Sequence, residues 1–89
     1  MKLTIKLLPP YIKKGQTDQF VLQLKADSVD LQELARHLSS EWRERFNYAL
    51  FDDHNQLTAE FMVNGKSASL DTALKDSDQV TILPYIFGG

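Results

Sequence analysis

No cysteine occurs among the 89 residues, which removes disulfides, thiolate metal sites and a cysteine nucleophile together and leaves the fold to rest on packing alone. Long apolar runs are missing too. The N-terminal Met1-Lys2-Leu3-Thr4-Ile5-Lys6-Leu7 alternates instead of building a signal-peptide core, and no stretch approaches the length of a spanning helix. Nor is there a stripe of positive charge: ten Lys and Arg, scattered from Lys2 to Lys75, stand against twelve Asp and Glu for a formal net charge of −2. Nucleic-acid binding therefore has no electrostatic footprint. These absences predict a soluble, cytoplasmic domain with neither nucleic acid nor membrane as a partner. No glycine-rich phosphate loop is present. A chain of this length forms one compact domain and buries only about 60–65% of its unfolded surface, which leaves little for an enclosed active-site cavity and argues against a self-sufficient enzyme.

What is present is a clear order of elements. Leu3, Ile5 and Leu7 alternate with Thr4 and Lys6 as a half-buried strand, ended by Pro9-Pro10. Lys13-Lys14-Gly15-Gln16 reads as a turn, and Phe20, Leu22 and Leu24 alternate as a second strand, antiparallel to the first. Asp30 with Glu33 forms a capping-box start, after which Leu31, Leu34, Ala35, Leu38, Trp42 and Phe46 keep helical spacing up to a stop at Asn47. Tyr48 to Gln56 reads as a connection with a turn at Asp52-Asp53-His54-Asn55. Phe61-Met62-Val63 runs into Asn64-Gly65, a two-residue hairpin signal, with a return strand at Lys66 to Ala68. Leu70 to Leu74 is expected to form a brief helical turn and Asp76-Ser77-Asp78 another turn. Val80-Thr81-Ile82-Leu83 is a last, strongly β-prone strand. The class is α+β: a mixed sheet of four to five strands packed against one main helix, with residues 1–83 as the domain and 84–89 as an extended tail.

The tail carries the chemical signal. Two consecutive glycines, Gly88-Gly89, add nothing to stability. What they supply is access, since a side-chain-free tip enters a channel too narrow for other residues and presents the Gly89 carboxylate uncrowded. A carboxylate is a poor electrophile, so it must be activated. Adenylation by ATP gives a mixed anhydride from which a sulfur or nitrogen nucleophile displaces AMP. The chain has neither a phosphate loop nor a thiol for that work, so it reads as the molecule acted upon.

The N-terminal strand, Val63-Asn64-Gly65, the stretch from Leu74 through Asp78-Gln79-Val80-Thr81-Ile82-Leu83-Pro84, and Gly88-Gly89 together resemble the ubiquitin-like sulfur carriers of the MoaD/ThiS family, over essentially the whole chain. The resemblance implies a ubiquitin-like β-grasp fold with the first and last strands parallel at the sheet centre. It also implies that Gly89 is adenylated by a ubiquitin-activating-type adenylyltransferase and converted to a thiocarboxylate, using sulfur from a donor protein, while Gly88 keeps the tip slim. No cofactor is implied as permanently bound; ATP is used by the activating enzyme. Length and ending are more similar to the small subunit of molybdopterin synthase than to the thiazole-synthesis carrier, which implies a large catalytic subunit as partner. Tyr85 and Phe87 depart from the family's usual proline-rich ending and leave the sulfur acceptor open.

Other candidates are weaker. His37 and His54 lie far apart without cysteines, and Asp52-Asp53-His54 lacks further ligands at fixed spacing, so no metal site is expected. Trp42 and Phe46 read as core. Tyr85, Ile86 and Phe87 are large apolar side chains beside two glycines, and are expected to dock on a partner together with Leu83, Pro84 and Met62 on an open sheet face. Three classes stay open: a sulfur carrier without catalysis of its own, a ubiquitin-like modifier joined to lysines through Gly89, and a plain interaction domain with an inert end.

Overall fold

The structure, a computed structural model, describes residues 1–84. Strand β1 (Lys2–Leu7) buries Leu3, Ile5 and Leu7 on one face, as its alternation requires. It turns through Lys13–Gln16, where Gly15 takes φ +86°, into β2 (Gln19–Gln23), which pairs antiparallel with it. The two-residue β3 (Val29–Asp30) leads into the helix α1 (Leu31–Glu41), a 3₁₀ turn covers Arg43–Arg45, and β4 (Ala59–Val63) and β5 (Lys66–Ala68) form a hairpin. The short β6 (Ala73–Leu74) pairs with β3, and β7 (Gln79–Pro84) closes the main sheet. That sheet has five strands in the order β2-β1-β7-β4-β5, with β1 and β7 parallel and the other pairs antiparallel.

The helix begins where the capping box is. Asp30 Oδ1 accepts from the Glu33 amide at 2.8 Å and Glu33 Oε1 accepts from the Asp30 amide at 3.3 Å. Its apolar stripe, Leu31, Leu34, Ala35 and Leu38, is fully buried together with Leu3, Ile5, Val80 and Ile82 of the two central strands. Each such side chain removed from water stabilises the fold by about 1.5–3 kcal/mol.

Two expectations are corrected. The helix stops at Glu41 instead of running to Asn47, because two aromatics are claimed elsewhere. Trp42 leaves helical geometry at φ −124°, ψ 17° and stacks on Phe20 with centroids 5.1 Å apart, while the Arg45 guanidinium sits over the Phe20 ring at 4.4 Å. Phe46 is extended, bridges to Ile12 and is buried. Those contacts outweigh the few tenths of a kcal/mol per residue that helix propensity offers. Leu70 to Leu74 is a turn followed by strand β6, not a helical turn. Its carbonyls serve α1: Leu70 and Thr72 oxygens accept from the Gln32 and Leu31 amides at 3.0 and 3.1 Å, satisfying first-turn donors that have no partner inside the helix.

Loops also feed the core. Tyr11 is buried, its hydroxyl donating to the Thr58 carbonyl at 2.9 Å, and Leu50 of the connecting segment is buried as well. In the Asp52–Asn55 turn, Asp52 Oδ1 accepts from the His54 and Gln56 amides at 2.8 and 2.9 Å.

Candidate functional site

β7 lies at the middle of the sheet, hydrogen-bonded on one side to the first strand and on the other to β4. Val80 and Ile82 point into the core and are fully buried, which fixes the strand and turns Gln79, Thr81 and Leu83 to the opposite face. Pro84 is the last residue of the strand, opposite Ala59. Having no N–H, it suits the place where a ladder ends.

The start of β7 is tied down by the turn before it and by the N-terminal strand. The Lys2 amide donates to Asp76 Oδ1 at 2.6 Å, and the Ser77 amide donates to the Lys2 carbonyl at 2.7 Å. The hairpin turn adds its own ties. Asn64 and Gly65 take φ of +52° and +85°, the left-handed geometry a two-residue loop requires. The Asn64 carboxamide then reaches β7, with Nδ2 donating to Asp78 Oδ1 at 2.8 Å and Oδ1 accepting from the Gln79 amide at 2.9 Å.

The face away from α1 collects the alternate residues of every strand. Lys6 is opposite Thr81, Thr81 opposite Met62, and Met62 opposite Ser67, while Leu83 is opposite Glu60. Met62 and Leu83 are therefore diagonal neighbours on adjacent strands, close enough for long side chains to touch. Both are half-buried, and both line a cavity of about 270 Å³ with Glu60, Ser67 and Leu70. At the far edge Val21 is 53% exposed. The structure thus brings Leu83 and Met62 together, whereas Pro84, paired with the buried Ala59, falls by alternation on the other face of the sheet with Val80 and Ile82. Tyr85, Ile86, Phe87, Gly88 and Gly89 lie outside the described residues. Lys6, Glu60 and Ser67 share this face although the sequence reading did not single them out. Alternation already turned Lys6 outward, but its neighbours are set by pairing register, which no local signal carries.

His37 is half-buried on the helix and His54 exposed in its turn. Among the described residues no group of three or more His, Cys, Asp or Glu could hold a metal ion, and no helix is long and apolar enough to cross a membrane. What the geometry offers is a central strand, paired on both sides and described through Pro84, whose outward face is partly apolar.

A mixed sheet with parallel first and last strands, covered on one face by a single main helix, is the ubiquitin-like β-grasp fold. The ThiS family model matches residues 15–89, and the chain belongs to that family. Its structure is similar to that of the small archaeal modifier protein 1 of Haloferax volcanii, with a TM-score of 0.70 and 15% identity over 96% of this chain and 98% of that one. It is also similar to the putative molybdopterin converting factor subunit 1 from Pyrococcus furiosus, at 0.67 and 21% over 96% and 98%. The protein–protein complex of subunits 1 and 2 of molybdopterin-converting factor from Helicobacter pylori 26695 matches at 0.55 and 24% over 100% of both chains. No curated protein matches the sequence.

Proposed function

We propose that this chain acts in the cytoplasm as a sulfur carrier for molybdopterin-type cofactor synthesis, without catalysis of its own. The Gly89 carboxylate attacks the α-phosphate of ATP on a ubiquitin-activating-type adenylyltransferase, pyrophosphate leaves, and an acyl-adenylate results. A sulfur nucleophile supplied by a donor protein then displaces AMP, and the resulting C-terminal thiocarboxylate gives up its sulfur inside a complex with a larger catalytic subunit. Residues 1–83 are the handle and 84–89 the reactive arm, with Gly88 keeping its tip narrow. Leu83, Pro84, Tyr85, Ile86, Phe87 and Met62 form the docking surface for the activating enzyme and the acceptor. The observation that carries this reading is the family match, which runs through Gly88 and Gly89. Consistent with it, β7 carries Leu83 beside Met62 on the face away from the helix, immediately before the residues proposed as the arm.

Intact mass of the protein purified from its native host tests the proposal. The expected result is a species heavier by one oxygen-to-sulfur exchange, localised to Gly89, which disappears when Gly89 is deleted while the melting temperature stays nearly unchanged. Adducts linking Gly89 to lysines of other proteins would assign the chain to protein modification instead. A folded protein with no ATP-dependent change at Gly89 would refute both.

A further inference from the structure

Asn64 is the one asparagine of this chain followed by glycine; Asn47 and Asn55 precede Tyr48 and Gln56. Glycine leaves the following backbone nitrogen unhindered, so it attacks the neighbouring carboxamide more readily than any other residue. In that reaction the Gly65 nitrogen bonds to Asn64 Cγ and gives up its proton, and the Cγ–Nδ2 bond breaks with loss of ammonia. Water then reopens the five-membered succinimide at either carbonyl, leaving aspartate or isoaspartate. Water is the only co-reactant.

In the fold this carboxamide is held at both ends. Nδ2 donates to Asp78 Oδ1 at 2.8 Å, Oδ1 accepts from the Gln79 amide at 2.9 Å, and the Asn64 amide donates to the Gln79 carbonyl at 2.8 Å. Asp78 is fixed in turn, its Oδ2 accepting from the Lys75 amide at 2.8 Å. Ring closure requires the side chain to swing from β7 onto the nitrogen that follows it, giving up both contacts, one of them charge-assisted. It also draws the Asn64 Cα and carbonyl carbon into the ring, against a turn at φ +52° whose flanking residues Val63 and Lys66 are paired. The Gln79 N–H polarises the carboxamide and favours attack, but polarisation helps only a geometry that the nitrogen can reach.

We infer that Asn64 is a modification site gated by the fold: it is shielded while the β4–β5 hairpin is closed and deamidates when the hairpin opens. The change is one-way. Aspartate at this position sets a second carboxylate against Asp78 where an amide donor stood, and the two repel. Isoaspartate lengthens the turn backbone by a methylene. Either product removes the Nδ2 donor that ties the turn to Asp78.

The test incubates the folded full-length protein, and the same chain held unfolded in guanidinium, at one neutral pH, and follows the amide-to-acid mass change and isoaspartate at residue 64 by tandem mass spectrometry. Asn47 and Asn55 are internal references. The folded chain is expected to react about tenfold more slowly or less, because reaction through an open hairpin scales with the open population. Asp78→Ala and the isosteric Asp78→Asn should both speed the reaction in the folded protein, with circular dichroism showing which variant is folded under the incubation conditions. Equal rates in folded and unfolded chain, faster reaction in the fold, or no acceleration in a folded Asp78 variant would overturn the inference.

Discussion

The two faces of the main sheet are built from alternate residues of the same strands, yet they carry different burdens. Toward α1 stand Leu3, Ile5, Leu22, Val80 and Ile82, all essentially inaccessible to water. On the other side stand Thr4, Lys6, Thr81, Leu83, Glu60 and Met62, all only half-buried, with no helix laid across them among the described residues. Because side chains alternate strictly, the sequence can tune one face without touching the other. The covered face supplies stability and fixes the course of β7. The uncovered face leaves Met62 and Leu83 half-exposed, and on the proposed function these are the side chains that meet a partner.

Substitutions that separate the two burdens give the strongest check on this contrast. Ile82→Ala deletes a fully buried side chain at the sheet centre and should lower unfolding free energy by about 2–5 kcal/mol in urea titration. A smaller loss is expected at the helix start. Asp30→Ala removes the acceptor for the Glu33 amide and should cost about 1 kcal/mol, seen as a reduced denaturation midpoint with unchanged slope. The least effect on stability belongs to the uncovered face: Leu83→Lys, one position from Ile82 and opposite Glu60, should change unfolding free energy by less than about 1 kcal/mol. On the proposed function the same variant should weaken binding to the adenylating enzyme by about tenfold or more, measured by calorimetry. If Leu83→Lys unfolds the protein as Ile82→Ala does, or binds with parental affinity, the division of labour between the faces is wrong.

Whatever depended on neighbouring residues could be read in advance. Asp30 and Glu33 lie within one helical turn, Asn64-Gly65 is a turn in itself, and the alternation around Ile5 and Ile82 needs only a strand. The helix end was not legible, because Trp42 and Phe46 leave the helix for Phe20 and Ile12, residues more than twenty positions away whose proximity exists only after folding. The turn at Leu70 was misread for the same reason: its carbonyls are spent on the first amides of a helix far earlier in the chain. Leu50 sits in a segment that reads as a connection and Tyr11 between a strand end and a turn, yet both are core. On the candidate site, alternation placed Met62 and Leu83 outward correctly, but their diagonal placement and their companions Lys6 and Glu60 follow from register, which the hairpin fixes for β4 and β5 and only the closed sheet fixes for β7.

Among the described strands the central one comes last in the chain, and that order has a cost. Until residues 79–84 leave the ribosome, the β1–β2 and β4–β5 hairpins have nothing between them, and paired hairpins of this size are marginal in water on their own. Closing the sheet then requires the two ends of the chain to meet, a slow, long-range event. A copy ending before β7 thus lacks the piece that unites its halves, and what remains is two hairpins with no shared sheet.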